Sequence, residues 1–241
     1  MKCIILAAGY STRLYPLTLN IPKALIKVNN KHLIDYIIDK VKNIKEIDEI
    51  ILVSNNKFYN QFLDWNKSNN IKIINDLTNS NEERLGVVRE MCFVIEKEKI
   101  NDDLLVIGGD NLFETDLNKM IQLFKKTNSS VIAAKDLEDP EKLKKKFGTI
   151  EIDDNYKIIG FEEKPENPKS SLAGTFIYLF IKNDIKEFKN CVEEKNKPDN
   201  AGEFIKYLAN KRDVYCYIFK EEWYDIGNYE DLKLIEQKFI N

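Results

Sequence analysis

A chain of 241 residues with 43% apolar and 32% charged positions can enclose a substantial core and is too apolar to be a disordered polyelectrolyte. Its 37 basic and 40 acidic side chains leave a net charge of −3 with no basic tail, so nucleic acid is not an expected partner. The apolar run Cys3 to Ala8 is too short to cross a bilayer or to form the hydrophobic stretch of a signal peptide, so the expected setting is the cytoplasm, away from membranes.

Lys2 to Ala8 is a continuous apolar run ended by Gly9, the pattern of a strand covered on both faces. His32 to Val41 carries apolar residues at 33, 34, 37, 38 and 41, which is helical spacing, and Glu49 to Ser54 gives a second strand. Strand, helix and strand in this order predict a βαβ unit with a right-handed crossover. A strand at Ile71 to Ile74, a helix over Leu85 to Glu98, a strand at Asp103 to Ile107, a helix over Leu117 to Lys126 and a strand at Ser130 to Ala134 continue the alternation. After Pro140 come strand-like pieces at Gly148 to Ile152, Ile158 to Glu162 and Thr175 to Phe180. A helix near Glu203 to Asn210, a strand at Val214 to Phe219 and a closing helix after Asn228 follow. Asn228 and Asp231 have the spacing of a capping box. No repeat, low-complexity segment or linker divides the chain, so one domain over residues 1–241 is expected, with a parallel half and a mixed half. The predicted class is α/β, a Rossmann-like three-layer sandwich around a mostly parallel mixed sheet. In such sheets ligands bind beyond the carboxyl ends of the strands.

Four cysteines, Cys3, Cys92, Cys191 and Cys216, are scattered without a CxxC pair and read as reduced thiols, most of them buried. The sole histidine, His32, opens a helix and has no Ser or Cys partner nearby in sequence, which fits a surface or capping role. The loop Gly9-Tyr10-Ser11-Thr12-Arg13 lets backbone N–H groups approach a phosphate, and Arg13 and Lys23 can add positive charge. The same pattern also occurs in ordinary turns, and it matches neither the dinucleotide fingerprint nor the P-loop. Asp110 follows Gly108-Gly109 at the end of a buried strand, and Asp225 lies just after another strand. Two carboxylates from separate strands can hold Mg²⁺ together with substrate phosphates, or each can cap a turn. Lys164, fixed between a strand and Pro165, can donate to a phosphate or belong to a solvated charge run.

Taken together, Leu6-Ala7-Ala8-Gly9-Tyr10-Ser11-Thr12-Arg13-Leu14-Tyr15-Pro16-Leu17-Thr18 and Pro22-Lys23-Ala24-Leu25 resemble the signature of the sugar-phosphate nucleotidyltransferases, especially the glucose-1-phosphate thymidylyltransferases. Gly109-Asp110-Asn111, Phe161-Glu162-Glu163-Lys164-Pro165 and Trp223-Tyr224-Asp225-Ile226-Gly227 are similar to that family's later motifs, in the same order. The resemblance implies the nucleotide-diphospho-sugar transferase fold, with the N-terminal half binding nucleotide and the C-terminal half the acceptor. It places Ala8, Gly9, Tyr10, Ser11 and Thr12 around the nucleotide, Arg13 and Lys23 on the triphosphate, and Asp110 and Asp225 on Mg²⁺. Lys164 would hold the acceptor's phosphate, and Gly148, Glu163 and Thr175 would line the acceptor site. Asn81 and Gly86 fall in the segment where the family usually starts a base-contacting helix with Gly-Leu-Ala. Ser11 replaces a second Gly of the loop, so the backbone there is expected to avoid positive φ. Phe176 replaces a Gly in the Thr-Gly-hydrophobic-Tyr stretch, and neither base nor acceptor is fixed by these motifs.

The implied activity is transfer of NMP from an NTP to a sugar 1-phosphate by in-line attack, with Mg²⁺ as cofactor. The attacking phosphate has its second pKa near ~6 and is largely dianionic at neutral pH, so no general base is required. Cations and positioning then carry the catalysis. The alternatives are a cytidylyltransferase acting on a small phosphoalcohol such as phosphocholine or on a phosphonate, and a non-catalytic nucleotide-binding regulator. Without hexapeptide repeats, no attached acyltransferase β-helix is expected, and homo-oligomerisation is left open.

Overall fold

The computed structural model describes residues 1–195 and 200–238. The chain forms two compact units, one from Met1–Arg84, Ile107–Glu114 and the segment from Glu222 onward, the other from Leu85–Val106 and Thr115–Glu221.

In chain order the first unit opens with β1 (Lys2–Leu6), the short strands β2 (Lys27–Val28) and β3 (Lys31–His32), α1 (Leu33–Lys42), β4 (Glu49–Ser54), α2 (Tyr59–Asn66) and β5 (Lys72–Asn75). The second unit follows with α3 (Val87–Lys97) and the start of β6 (Leu104–Gly108), whose last two residues return to the first unit with β7 (Asn111–Phe113). It resumes with α4 (Leu117–Thr127), β8 (Ser130–Asp136), β9 (Thr149–Ile152), β10 (Ile158–Glu162), β11 (Leu172–Phe180), α5 (Lys186–Glu194), α6 (Ala201–Ala209) and β12 (Val214–Phe219). The chain then closes the first unit with β13 (Trp223–Asp225) and α7 (Tyr229–Lys238).

In the first unit β1, β4 and β5 pair in parallel, with Ile4 opposite Ile51 and Leu52 opposite Ile73. Their buried faces explain the unbroken apolar run of the first strand. Helix α1 buries Leu33, Ile34, Ile37, Ile38 and Val41, the stripe its spacing predicts. Each such side chain contributes about 1.5–3 kcal/mol relative to exposure. A further cluster of Leu14, Ile26, Val28, Leu33, Leu112, Ile226, Leu232 and Ile235 ties the loop after β1, the β7/β13 ribbon and α7 into one core. The expected capping box closes α7, with Asn228 Oδ1 accepting from Asp231 N at 3.0 Å and Asp231 Oδ2 from Asn228 N at 3.0 Å.

In the second unit the strands are mixed, as expected after Pro140. β12 runs parallel to β8, while β11 is antiparallel to β8 and β9, and β10 is antiparallel to β9. The register of β11 shifts between Gly174 and Tyr178, where Phe176 takes a positive φ of 57° and its ring lies 5.4 Å from that of Tyr178. Helices α5 and α6 meet through stacked Phe188 and Phe204, whose ring centres are 3.8 Å apart. Cys3, Cys191 and Cys216 are buried and Cys92 is half-buried, all four as free thiols. Burial pushes the Cys92 thiol up to about 11 and that of Cys216 to about 12, which keeps both protonated. Among the described residues, no helix is long and apolar enough to cross a membrane.

Candidate active site

The loop after β1 is held from below by its own backbone and by one buried amide. Ala7 N donates to Val53 O at 2.9 Å, and Asn55, at the end of β4, donates from Nδ2 to Ala8 O at 2.8 Å. Gly9 faces open space, since a Cβ built there meets nothing within 4 Å. Ser11 corrects the expectation drawn from its side chain, because its backbone is left-handed at φ 49° and ψ 44°. Thr18 Oγ1 donates to Ser11 O at 2.8 Å and offsets that strain. Thr12 and Arg13 belong to the short turn Thr12–Leu14, and Lys23 opens a similar turn, Lys23–Leu25. Tyr10 is buried and its hydroxyl lies 3.3 Å from Thr78 Oγ1, which in turn donates to Asp76 Oδ1 at 2.9 Å. Asn55, Thr78 and Asp76 lie outside the motifs and are found only through these bonds.

The charged residues of the first unit gather beside this loop. Gly109 packs closely on β1, since a Cβ there would lie 3.0 Å from Ala7 Cβ and Leu6 O and force them to give by a few tenths of an ångström, and its N–H donates to Leu6 O at 2.8 Å. The chain thereby delivers Asp110, whose carboxylate accepts from Lys23 Nζ at 2.8 Å. Asp225 comes from β13, directly opposite Asn111 of β7. Ile226 N donates to Asp110 O at 3.4 Å. Arg13 points to the same turn, with its guanidinium 3.9 Å from the place a Gly227 Cβ would take. Burial and then the charge of Asp110 push the Asp225 carboxyl up to about 6, against the pull of Lys23 and Arg13. The structure thus brings Arg13, Lys23, Asp110 and Asp225 together. Among the described residues no three or more His, Cys, Asp or Glu side chains form a metal cage. A pair of hard carboxylates that repel each other suits a divalent cation that takes its remaining ligands from phosphate and water.

Of the other candidate binding residues, Asn81 belongs to the first unit and the rest to the second. Asn81 sits in an exposed turn, accepting from Arg84 N at 3.4 Å, and Gly86 precedes α3 with φ 76°. In the second unit the Phe161 ring nests among glycines, since Cβ atoms added to Gly148, Gly174 or Gly202 would come within 2.3, 3.2 and 2.0 Å of it. Glu163 Oε2 lies 3.3 Å from the same Gly148 position, and burial raises the Glu163 carboxyl while Lys164 lowers it. Lys164 adopts a positive φ of 47°, with Nζ 3.9 Å from Glu163 Oε1. Phe161, Glu163, Gly202, Glu203 and Lys206 border a cavity of about 540 Å³. Thr175 exposes no surface and donates its hydroxyl to Ala133 O at 2.9 Å, so it supports the strand and presents nothing to a ligand. His32 bonds through Nδ1 to Leu25 O at 2.6 Å and does not cap α1 with its side chain.

Residues 2–240 match the nucleotidyl transferase family. The bifunctional protein GlmU of Methanocaldococcus jannaschii is 33% identical over 96% of this chain and 52% of its own length. A Sulfolobus acidocaldarius protein, provisionally named a mannose-1-phosphate guanyltransferase, is 32% identical over 100% of this chain and 63% of its own. The chain thus spans about half to two thirds of the curated relatives it matches. A Bacillus anthracis structure, provisionally named a glucose-1-phosphate thymidylyltransferase, superimposes with a TM-score of 0.84 at 26% identity, over 100% of this chain and 96% of that one. The α/β sheet with its flanking helices is therefore the nucleotide-diphospho-sugar transferase fold. With the match running over nearly its whole length, the chain belongs to the nucleotidyl transferase family.

Proposed function

We propose that this chain transfers a nucleoside monophosphate from an NTP to a sugar 1-phosphate and releases pyrophosphate. The observation that carries the reading is the convergence of Arg13, Lys23, Asp110 and Asp225, drawn from four distant parts of the sequence, beside an open loop. Similarity to proteins named for mannose-1-phosphate guanylyl transfer and glucose-1-phosphate thymidylyl transfer supports a sugar phosphate over a phosphoalcohol. Those names differ in their base, so the nucleobase is left to experiment.

A phosphate oxygen of the acceptor attacks the α-phosphorus, and the bond from that phosphorus to the bridging oxygen breaks, so pyrophosphate leaves with the electron pair. Both reactants are anionic, and their repulsion is the main obstacle. Arg13 and Lys23 neutralise the triphosphate and then the departing pyrophosphate, while the loop Ala8 to Thr12 offers backbone N–H groups. Lys164 holds the acceptor's phosphate, with Glu163 and Gly148 along its sugar, and Asn81 and Gly86 flank the base. Asp110 and Asp225 would hold Mg²⁺, which supplies charge neutralisation at the phosphates. The nucleotide thus falls to the N-terminal half and the acceptor to the C-terminal half of a single catalytic domain. The cytoplasm, where NTPs are made, is the proposed setting.

A pyrophosphate-release screen of the common NTPs against sugar 1-phosphates and phosphoalcohols in Mg²⁺ tests this. Release with at least one NTP and a sugar 1-phosphate is expected. Release with phosphoalcohols alone would overturn the acceptor class, and no release with any pair would overturn the enzymatic reading.

A further inference from the structure

We infer that Asn111 and Trp223 are positioning residues for the divalent-cation site, locking the two carboxylates Asp110 and Asp225 into one register. The inference rests on the reading of those carboxylates as metal ligands. The two acids reach the site on a minimal scaffold. Asp110 immediately precedes β7, Asp225 ends β13, and the two strands pair over three residues each, with Trp223 opposite Phe113, Tyr224 opposite Leu112 and Asp225 opposite Asn111. A ribbon this short is marginal on its own and its register needs a further constraint.

Asn111 supplies one. It lies directly across from Asp225, so the two side chains share a face of the ribbon, and Trp223 is its diagonal neighbour on that face. The indole Nε1–H of Trp223 donates to Asn111 Oδ1 at 2.8 Å, and Asn111 Nδ2 donates to Gly108 O at 3.2 Å. The amide thus ties three points together: the strand that carries Asp225, its own strand, and the end of β6 that leads into Asp110. Asn111 is 2% exposed and Trp223 8%, so water cannot replace either bond without opening the ribbon. A one-residue slip would break the Trp223 bond and turn Asp225 to the opposite face. Leu112 and Ile226, the neighbours of this network, anchor the ribbon in the core but do not select its register through a directional bond.

The test is Mn²⁺ binding to the whole protein without nucleotide, read by the electron paramagnetic resonance of free Mn²⁺, with Trp fluorescence as a second signal. Replacing Trp65, the other tryptophan, by Phe leaves Trp223 as the sole reporter, and its emission is expected to change as Mn²⁺ binds. Trp223→Phe keeps an aromatic side chain but removes the N–H together with part of the indole's buried volume, which the unfolding temperature reads separately, and Asn111→Ala removes both bonds. Each is expected to weaken Mn²⁺ binding about 10-fold or more, the usual effect of losing a group that orients a ligand, with the larger loss in Asn111→Ala. Should Asn111→Ala fail to fold, Trp223→Phe carries the test alone. Weaker unfolding temperatures with unchanged Mn²⁺ affinity in Trp223→Phe would overturn the inference and leave these residues a purely structural role. Asp225→Asn separates this from the underlying reading: if that variant binds Mn²⁺ as tightly as the parent, the metal assignment itself fails, whereas loss of binding there with unchanged affinity in Trp223→Phe refutes only the positioning.

Discussion

Lys23 has two partners in the proposed cycle, and the difference between them is measurable. Without substrate its ammonium sits 2.8 Å from Asp110, a half-exposed carboxylate, and takes up charge that a metal would otherwise neutralise. On binding it must turn to the triphosphate, so the ion pair opposes the metal and is exchanged when the nucleotide arrives. A charge pair at this range near a protein surface is worth about 1–2 kcal/mol after screening. Lys23→Met is therefore expected to bind Mn²⁺ about 5–10-fold more tightly in the absence of nucleotide, yet to lose roughly two orders of magnitude in pyrophosphate release. Free-Mn²⁺ titration beside the release assay reads both. Metal affinity that is unchanged or weaker in Lys23→Met would mean that the lysine does not compete for Asp110.

Between β9, β10, β11 and α6, glycines serve the packing of one aromatic ring. The Cβ of an alanine at 202 would lie 2.0 Å from Phe161, and the ring has little room to retreat because Gly148 and Gly174 also border it, so closely that Cβ atoms built on them would lie 2.3 and 3.2 Å from it. Gly202→Ala is expected to destabilise the protein by about 1–3 kcal/mol, while Gly202→Ala with Phe161→Leu costs less than the two single changes together. Denaturant unfolding of the four proteins gives the cycle, and strict additivity would show that the ring is free to move. This arrangement was not legible beforehand, since neither Gly202 nor the ring's surroundings form a local pattern. What could be read was local periodicity: α1 buries the five positions its spacing marked, and the box at Asn228 and Asp231 caps α7. Helices α2 and α5 present no buried apolar stripe for a sequence to mark, α2 burying only Phe62 and α5 only Phe188 and Cys191 beside Glu187, which Arg212 pairs at 3.1 Å from the turn before β12. The motif residues Asp110 and Asp225 stood out because glycines mark them. The Asn111–Trp223 bond between them spans 112 positions and leaves no such mark.

At the scale of the molecule, a chain whose net charge is only −3 gathers two carboxylates at one place and leaves one of them poorly neutralised. The interleaved path makes this happen, because the first unit takes Asp110 from the middle of the sequence and Asp225 from near its end. Asp225 has its carboxyl raised from 3.8 to about 6 by burial and by Asp110. The folded state therefore holds this proton more tightly than the unfolded chain does. The stability it contributes is fully present below about pH 4 and is lost as the pH rises through 6. At pH 7.5 the ionised pair costs the protein about 1–3 kcal/mol, and a bound divalent cation relieves that cost. Thermal unfolding with and without millimolar Mg²⁺ is expected to show a gain of several degrees at pH 7.5 and little or none at pH 5, where the proton occupies the site. Asp225→Asn should unfold at a higher temperature than the parent at pH 7.5 without Mg²⁺ and gain nothing from adding it. An equal Mg²⁺ gain at both pH values, or a gain that persists in Asp225→Asn, would place the stabilising cation elsewhere on the protein.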